Sequence, residues 1–209
     1  MSESPLYRAA GPIALAAGGF FVATDLGRYP LLGNRLALAT DPVLIAVNAA
    51  YFFAFVGLMI ALIAVHMRLG ARMGGFGLVA FLFAVLGVMS QGGNMWFDGF
   101  AAPWLAEVLP EAFTARKTPI LQIGGLTSYV LFTLGWVLYG LAALRARAVP
   151  VALALALVVG GVLGYHSGLP PYGTPIGLAV AVLGVWLIRH DRVTVWASPP
   201  SRPSHRPVG

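Results

Sequence analysis

Cysteine is missing from all 209 residues. Its absence removes disulfides, thiolate metal ligands and cysteine nucleophiles, and leaves the redox compartment open. Charge is scarce as well. Asp, Glu, Lys and Arg make up 10% of the chain, where a soluble domain carries roughly 25%. Common catalytic signatures are missing too. No Gly-x-Ser-x-Gly, no His-Glu-x-x-His and no Asp-rich isoprenoid-diphosphate motif occurs. Lys117-Thr118 lacks the glycines of a phosphate loop. Gly75-x-Gly77-x-x-Ala80 mimics a dinucleotide fingerprint, but it opens an apolar helix with no strand before it. No two histidines share a face at ligand spacing, so no metal is expected. Haem would need better-placed axial partners, and no cofactor is expected.

Apolar residues are what the chain does have. They make up 59%, and the mean hydropathy is +0.84. Several runs approach or exceed the ~20 residues that cross a bilayer. The composition therefore predicts a multi-pass membrane protein with the lipid bilayer as its partner. The net charge of +6 does not indicate a nucleic-acid binder. The basic residues come in twos and threes beside apolar segments, as topology signals do. Twelve of the thirteen are arginine and alanine is abundant, which suggests a high-GC bacterium and its cell membrane.

The apolar runs predict an all-α fold: a polytopic transmembrane bundle of six helices. Their spans are about Ala9 to Leu26, Val43 to Met67, Gly74 to Phe97, Thr118 to Leu144, Val149 to His166 and Tyr172 to Ile188. A signal peptide is a poor reading of the first, because its leading segment is hardly positive and "VATDLG" is a poor cleavage site. With N- and C-termini cytoplasmic, nine basic residues fall inside, from Arg8, Arg68 and Arg72 through Arg145 and Arg147 to the C-terminal four. Four fall outside: Arg28, Arg35, Arg116 and Lys117. That asymmetry follows the positive-inside rule. Residues 1–195 read as one helical domain. Residues 196–209, rich in Pro, Ser and Arg, read as a disordered tail. The loop of residues 27–42 is rich in turn formers. In the loop of residues 98–117, Pro103 opens a short amphipathic helix with Trp104, Leu105, Val108 and Ala112 on one face, as on a membrane surface. Gly160-x-x-x-Gly164 and Gly173-x-x-x-Gly177 read as close-packing motifs.

The polar residues within these spans carry the functional reading. Gly87, Gln91, Asn94 and Asp98 form one stripe of the third helix. Gln122, Gly125, Tyr129, Phe132, Trp136 and Gly140 form another on the fourth. Asn48 lies on the second helix, Asp25 on the first, and His166 ends the fifth. With the topology above, Asp25, Asn48, Gln91, Asn94, Asp98, Gln122 and His166 all fall in the outer half. A polar side chain in hydrocarbon costs a few kcal/mol unless it is paired or wet. Seven at similar depth should face one another, around a cavity polar at its mouth and aromatic below. Each also has a plainer use. Amides hold helices together, acids near helix ends reach interfacial water, Asp98-Gly99 suits a turn, and Trp96, Trp104 and Tyr172 suit an interfacial belt.

Three readings follow. The first is a membrane enzyme on an apolar, isoprenoid or lipid-like substrate. Asp98 would be its general acid, with Asn94 and Gln91 orienting it and Asp25 or His166 taking the proton. Trp96, Tyr129, Phe132 and Trp136 would steady cationic charge through their ring faces. The second is a protein that binds or transports a small ligand in the same cavity. The third is a structural subunit, a homo-oligomer or part of a complex. The segments "LGWVLYGLAALRARAVPVALALALVVGGVLG", "IGLAVAVLGVWLI" and "FDGFAAPWLAE" resemble a loose group of uncharacterised six-helix membrane proteins of actinobacteria. The resemblance implies a fold and no activity. More faintly, the helices, intramembrane acids and aromatics are similar to small integral-membrane terpene cyclases, an analogy that implies acid-initiated cyclisation.

Overall fold

The computed structural model describes residues 4–29 and 35–196. The described residues form helices and no strand. In chain order these are α1 (Pro5–Arg8), α2 (Ala10–Gly27), α3 (Arg35–Thr40), α4 (Pro42–Trp96), α5 (Ala102–Val108), α6 (Pro119–Arg145), α7 (Val151–Leu163) and α8 (Thr174–Trp196). A π-helical turn, Phe97–Ala101, joins α4 to α5. Three apolar stretches are long enough to cross a membrane: Ala10–Gly27, Pro42–Val108 and Pro119–Arg145. Val151–His166 and Thr174–His190 are shorter apolar helices.

Helix α4 is a folded hairpin. Gly74 has φ +60, a left-handed backbone that glycine adopts without strain, and the chain reverses there. His66 stacks on Phe81 at 4.1 Å. Further from the bend, a Cβ on Gly92 would touch Phe55, and one on Gly99 would touch Ala49. As one number falls the other rises, so the two arms, residues 42–73 and 75–96, run antiparallel. The second and third expected helices are these arms. The stretch between them, expected as a tight loop, stays helical up to Gly74, with Gly70 the one weak helix former in Arg68 to Met73 and no proline to stop it. Asp41 starts the first arm by accepting from the Val43 and Leu44 amides at 2.8 and 3.2 Å.

The same antiparallel register recurs around the molecule. Gly18 lies against Ala181 and Gly177, and Gly184 against Leu15 and Gly11, so α2 and α8 run backbone to backbone. Gly87 and Gly135 seat the second arm of α4 on α6. Gly140 and Gly161 do this for α6 and α7. Gly160 meets Ile176 of α8, which closes the circle. Six helical segments thus form an up-and-down ring, and an even number lets every neighbour be antiparallel. Such small-residue contacts suit helices that gain nothing from sequestering apolar side chains from a lipid-like solvent. Of the two expected glycine pairs, Gly160 and Gly177 sit at helix–helix contacts, while Gly164 lies against the Phe132 ring and Gly173 against Tyr51, Phe21 and Asp25. Phe55, Phe132, Trp136 and Tyr139 fill the middle, each at most 2% exposed.

Two loop expectations change. Residues 35–40, expected in a turn-rich loop, form α3. The short helix at Pro103 exists as α5, but it buries Ala102 and Ala106 against Ala39 and leaves Trp104 and Val108 more than half exposed. The tail, residues 197–209, lies outside the described residues.

The ring depends on these glycines. Gly18→Leu and Gly184→Leu should each lower the unfolding temperature in detergent sharply, since overpacking costs about 1–3 kcal/mol and here the obstacle is backbone. Gly124→Ala, where a Cβ meets nothing within 4 Å, should be neutral or mildly stabilising. A Gly18→Leu protein as stable as the parent would contradict the α2–α8 packing.

Candidate functional site

One end of the ring is polar. The C-terminal end of α2, the start of the first arm of α4, the end of its second arm, the start of α6 and the α7–α8 connection meet there. On α2, Phe21, Asp25 and Arg28 recur at four and three residues and face inward. Asp25 is wholly buried and Arg28 is 5% exposed. Arg28 caps the helix C-terminus, where a cation is favoured.

Arg28 spends its guanidinium on neutral partners. Its Nε donates to Asn48 Oδ1 at 2.8 Å and an Nη donates to the Gly168 carbonyl at 3.0 Å. Its Cζ lies 4.6 Å from the centre of the Tyr51 ring, in cation–π geometry. The Tyr51 hydroxyl donates to the Ser167 carbonyl at 2.8 Å. Thr174 Oγ1 donates to Asp25 Oδ2 at 2.8 Å. Gly173 makes room for this: a Cβ there would lie 2.9 Å from Phe21 and 3.0 Å from the Asp25 carboxyl carbon, and would strike the Tyr51 hydroxyl. Phe21, Tyr51 and Phe55 form a ring triad beneath, with centroids 4.9 to 5.1 Å apart.

A second polar group adjoins the first. Asn94 Nδ2 donates to Gln91 Oε1 at 3.2 Å and to the Ser128 hydroxyl. Ser128 also donates to the Gly125 carbonyl at 2.7 Å. These bonds orient the Gln91 amide with Nε2 toward the α7–α8 connection. A Cβ on Gly168 would lie 3.5 Å from Gln91 Nε2 and 3.3 Å from the Tyr129 hydroxyl. Gly168 therefore joins the two groups.

Of the residues singled out in the sequence, Asp25, Asn48, Gln91, Asn94 and Tyr129 meet at this end. Phe132 and Trp136 lie deeper, packed on Phe55 and Tyr139 rather than bordering open space. Three others face elsewhere. Trp96 is half exposed and stacks on Phe100. Gln122 is exposed and donates to the Lys117 carbonyl at 2.9 Å. His166 is exposed, edge-on to Tyr165. Asp98 is half-buried in the π-helical turn, which ends the α periodicity on which its stripe was counted. Arg28, Tyr51, Ser128, Ser167 and Thr174 were not singled out as site residues from the sequence. Arg28 in particular, expected as an outer loop charge, is buried at the centre of the cluster. The signals were its three-residue spacing from Asp25 and the same spacing of Tyr51 from Asn48.

Chemically, the end offers one carboxyl, one guanidinium, amides and hydroxyls inside an apolar bundle. Among the described residues no three His, Cys, Asp or Glu gather to hold a metal. Comparison with known protein families, with curated proteins and with solved structures returns no match for this chain.

The cluster predicts a graded response to substitution. Tyr51→Phe strips the Ser167 carbonyl of its donor and should cost about 1–3 kcal/mol. Gly173→Ala should cost more, because Asp25, Tyr51 and Phe21 all crowd the new methyl. Ser167→Ala should change little, since its hydroxyl has no partner. Thermal unfolding of the purified proteins checks the order. Gly173→Ala tolerated as well as Ser167→Ala would rule the packing out.

Proposed function

We propose that this chain is a multi-pass protein of a bacterial cell membrane, and that its polar end binds the polar group of a small ligand. In this reading the chain crosses six times, with both termini in the cytoplasm and the polar end in the outer half. Support comes from the ring: Arg8, Arg68, Arg72, Arg145 and Arg189 all lie near helix ends opposite the polar one, as the positive-inside rule asks. The exposed Trp104 and Val108 suit α5 to the outer membrane surface.

One observation carries the ligand reading: a carboxyl and a guanidinium, Asp25 and Arg28, are buried together in an apolar bundle, and each keeps a polar atom without a partner. Burying ions is expensive unless all their hydrogen-bonding capacity is met. Inside a membrane such residues usually mark a site of function. Helix packing alone would be served by neutral amides at lower cost.

The free Asp25 oxygen also favours a second reading, acid chemistry on an isoprenoid or lipid-like substrate. In it Asp25, over the Phe21, Tyr51 and Phe55 rings, takes the part of general acid that the sequence assigned to Asp98. This reading needs the packed Phe55, Phe132 and Trp136 rings to part for a substrate. Binding needs only the polar end, and is preferred for that reason.

Two measurements test these readings. Single cysteines at Glu107 and Arg145 probe topology. An impermeant thiol reagent on intact cells should label the first and spare the second, and the reverse pattern overturns the orientation. Purified protein incubated with lipids and prenyl compounds, then read by mass spectrometry, tests function. Retained, unchanged ligand that is lost in Asp25→Asn and kept in Asp98→Asn is expected. A converted product establishes the acid reading instead. Retention unaffected by Asp25→Asn excludes both.

A further inference from the structure

Four polar atoms at the polar end are buried without a partner: Asp25 Oδ1, Arg28 Nη1, Gln91 Nε2 and Ser167 Oγ. Their side chains are at most 5% exposed. Native proteins leave few such atoms, and each needs an explanation. These four gather around one stretch of backbone. Arg28 already grips the Gly168 carbonyl, and Ser167 is the next residue. Gln91 Nε2 flanks Gly168 from the other side, and the Asp25 carboxyl flanks Gly173.

The chemistry of the set is specific. Asp25 contributes one anionic acceptor and Arg28 one cationic donor. Gln91 contributes a neutral donor, and Ser167 a hydroxyl that does either. A lone anion would satisfy Arg28 and Gln91 but face the Asp25 carboxyl with nothing to give it. A lone cation would satisfy Asp25 and face the guanidinium. A ligand carrying both charges meets all four, sets an opposite charge against each buried ion and adds no net charge to an apolar interior. Resting on the ligand-binding reading above, we propose that this end takes a zwitterion: a primary ammonium that donates to Asp25 Oδ1, and an oxoanion that accepts from Arg28 Nη1, Gln91 Nε2 and Ser167 Oγ.

The ammonium is primary because a quaternary one has no N–H to give. The oxoanion is a carboxylate or a phosphate, since both accept from a guanidinium and flanking donors. Two sources carry this chemistry, an ethanolamine phospholipid and a free amino acid. Entry requires the connection of residues 164–173 to lift, because Asp25 and Gln91 lie under it and Ser167 within it, all with no exposed surface. Two hydrogen bonds to its backbone, from Arg28 and Tyr51, hold it down.

The test is thermal unfolding of the full chain in detergent with three lipid probes and two soluble ones. Phosphatidylethanolamine should stabilise it, while phosphatidylcholine and phosphatidylglycerol should not; the latter two lack a primary ammonium. Phosphatidylcholine is the same headgroup with its ammonium N-methylated to the quaternary stage, so that comparison isolates the N–H donors. Stabilisation by soluble phosphoethanolamine or glycine alone would assign the free zwitterion, and stabilisation by the lipid alone the headgroup in its membrane setting. Asp25→Asn and Ser167→Ala should each weaken the response about tenfold, the loss of one hydrogen bond to a charged partner. Ser167→Ala removes an unpartnered hydroxyl, so it keeps the fold and still reports on the site if Asp25→Asn does not fold. Equal stabilisation by phosphatidylglycerol or phosphatidylcholine overturns the zwitterion and leaves the ligand-binding reading standing. If no probe stabilises the chain and mass spectrometry finds no retained ligand, both fail.

Discussion

The close approach of α2 to α8 is the contact on which the polar end depends. Gly18 and Gly184 bring two helix backbones into direct contact, and Gly11 and Gly177 leave room for the Ile188, Val22 and Phe21 side chains at the same crossing. That spacing lets Thr174 Oγ1 reach Asp25 at 2.8 Å, and it lets Gly173 sit flush against Tyr51 and Phe21. A larger residue at any of these crossings would push α8 outward. Asp25 would then lose its donor, and a buried carboxyl without one is costly. Packing and polar satisfaction are here the same constraint seen from two sides.

The hairpin in α4 extends that logic across the ring. Because the chain reverses at Gly74, Asn48 and Tyr51 near one end of α4 return to the level of Gln91 and Asn94 near the other. The first pair serves Arg28 and Ser167, the second serves Ser128. Gly168 lies between them. The α7–α8 connection therefore acts as the shared surface of two polar groups that otherwise belong to opposite sides of the bundle. The aromatic floor of Phe21, Tyr51 and Phe55 keeps that end from opening into the middle. Below it, Phe132, Trp136 and Tyr139 continue the packing. The polarity of the molecule is thus graded along the ring axis. Charged and hydrogen-bonded groups occupy one end, rings the centre, and arginines the far rim.

How much of this was visible beforehand depends on the range of the interaction. Gln91 and Asn94 are three apart on one helix, and their stripe showed in the 3.6-residue period. Their hydrogen bond follows from that period alone. Arg28 did not show. A charged residue just past an apolar run reads as a loop residue in water, and nothing local says that Asn48 and Gly168 will enclose it. Asp98 misled for a related reason: its place on the stripe assumed that the α-helix continued, and a π turn intervened. Gln122 and His166 shared the right depth but not the right side.

Composition and periodicity determined that the chain is helical, that three of its helices are long and apolar enough to cross a membrane, and that its polar residues collect toward one end. These are properties of single segments, set by local hydropathy and by backbone hydrogen bonding within each helix. Which polar groups meet was decided only by the tertiary structure. Asp25 and Thr174 are 149 residues apart, Arg28 and Gly168 140, Tyr51 and Ser167 116. Pairings at that range depend on how far each helix rotates about its axis and how closely its glycines let it approach. Both are fixed when the ring closes, and no segment carries them alone.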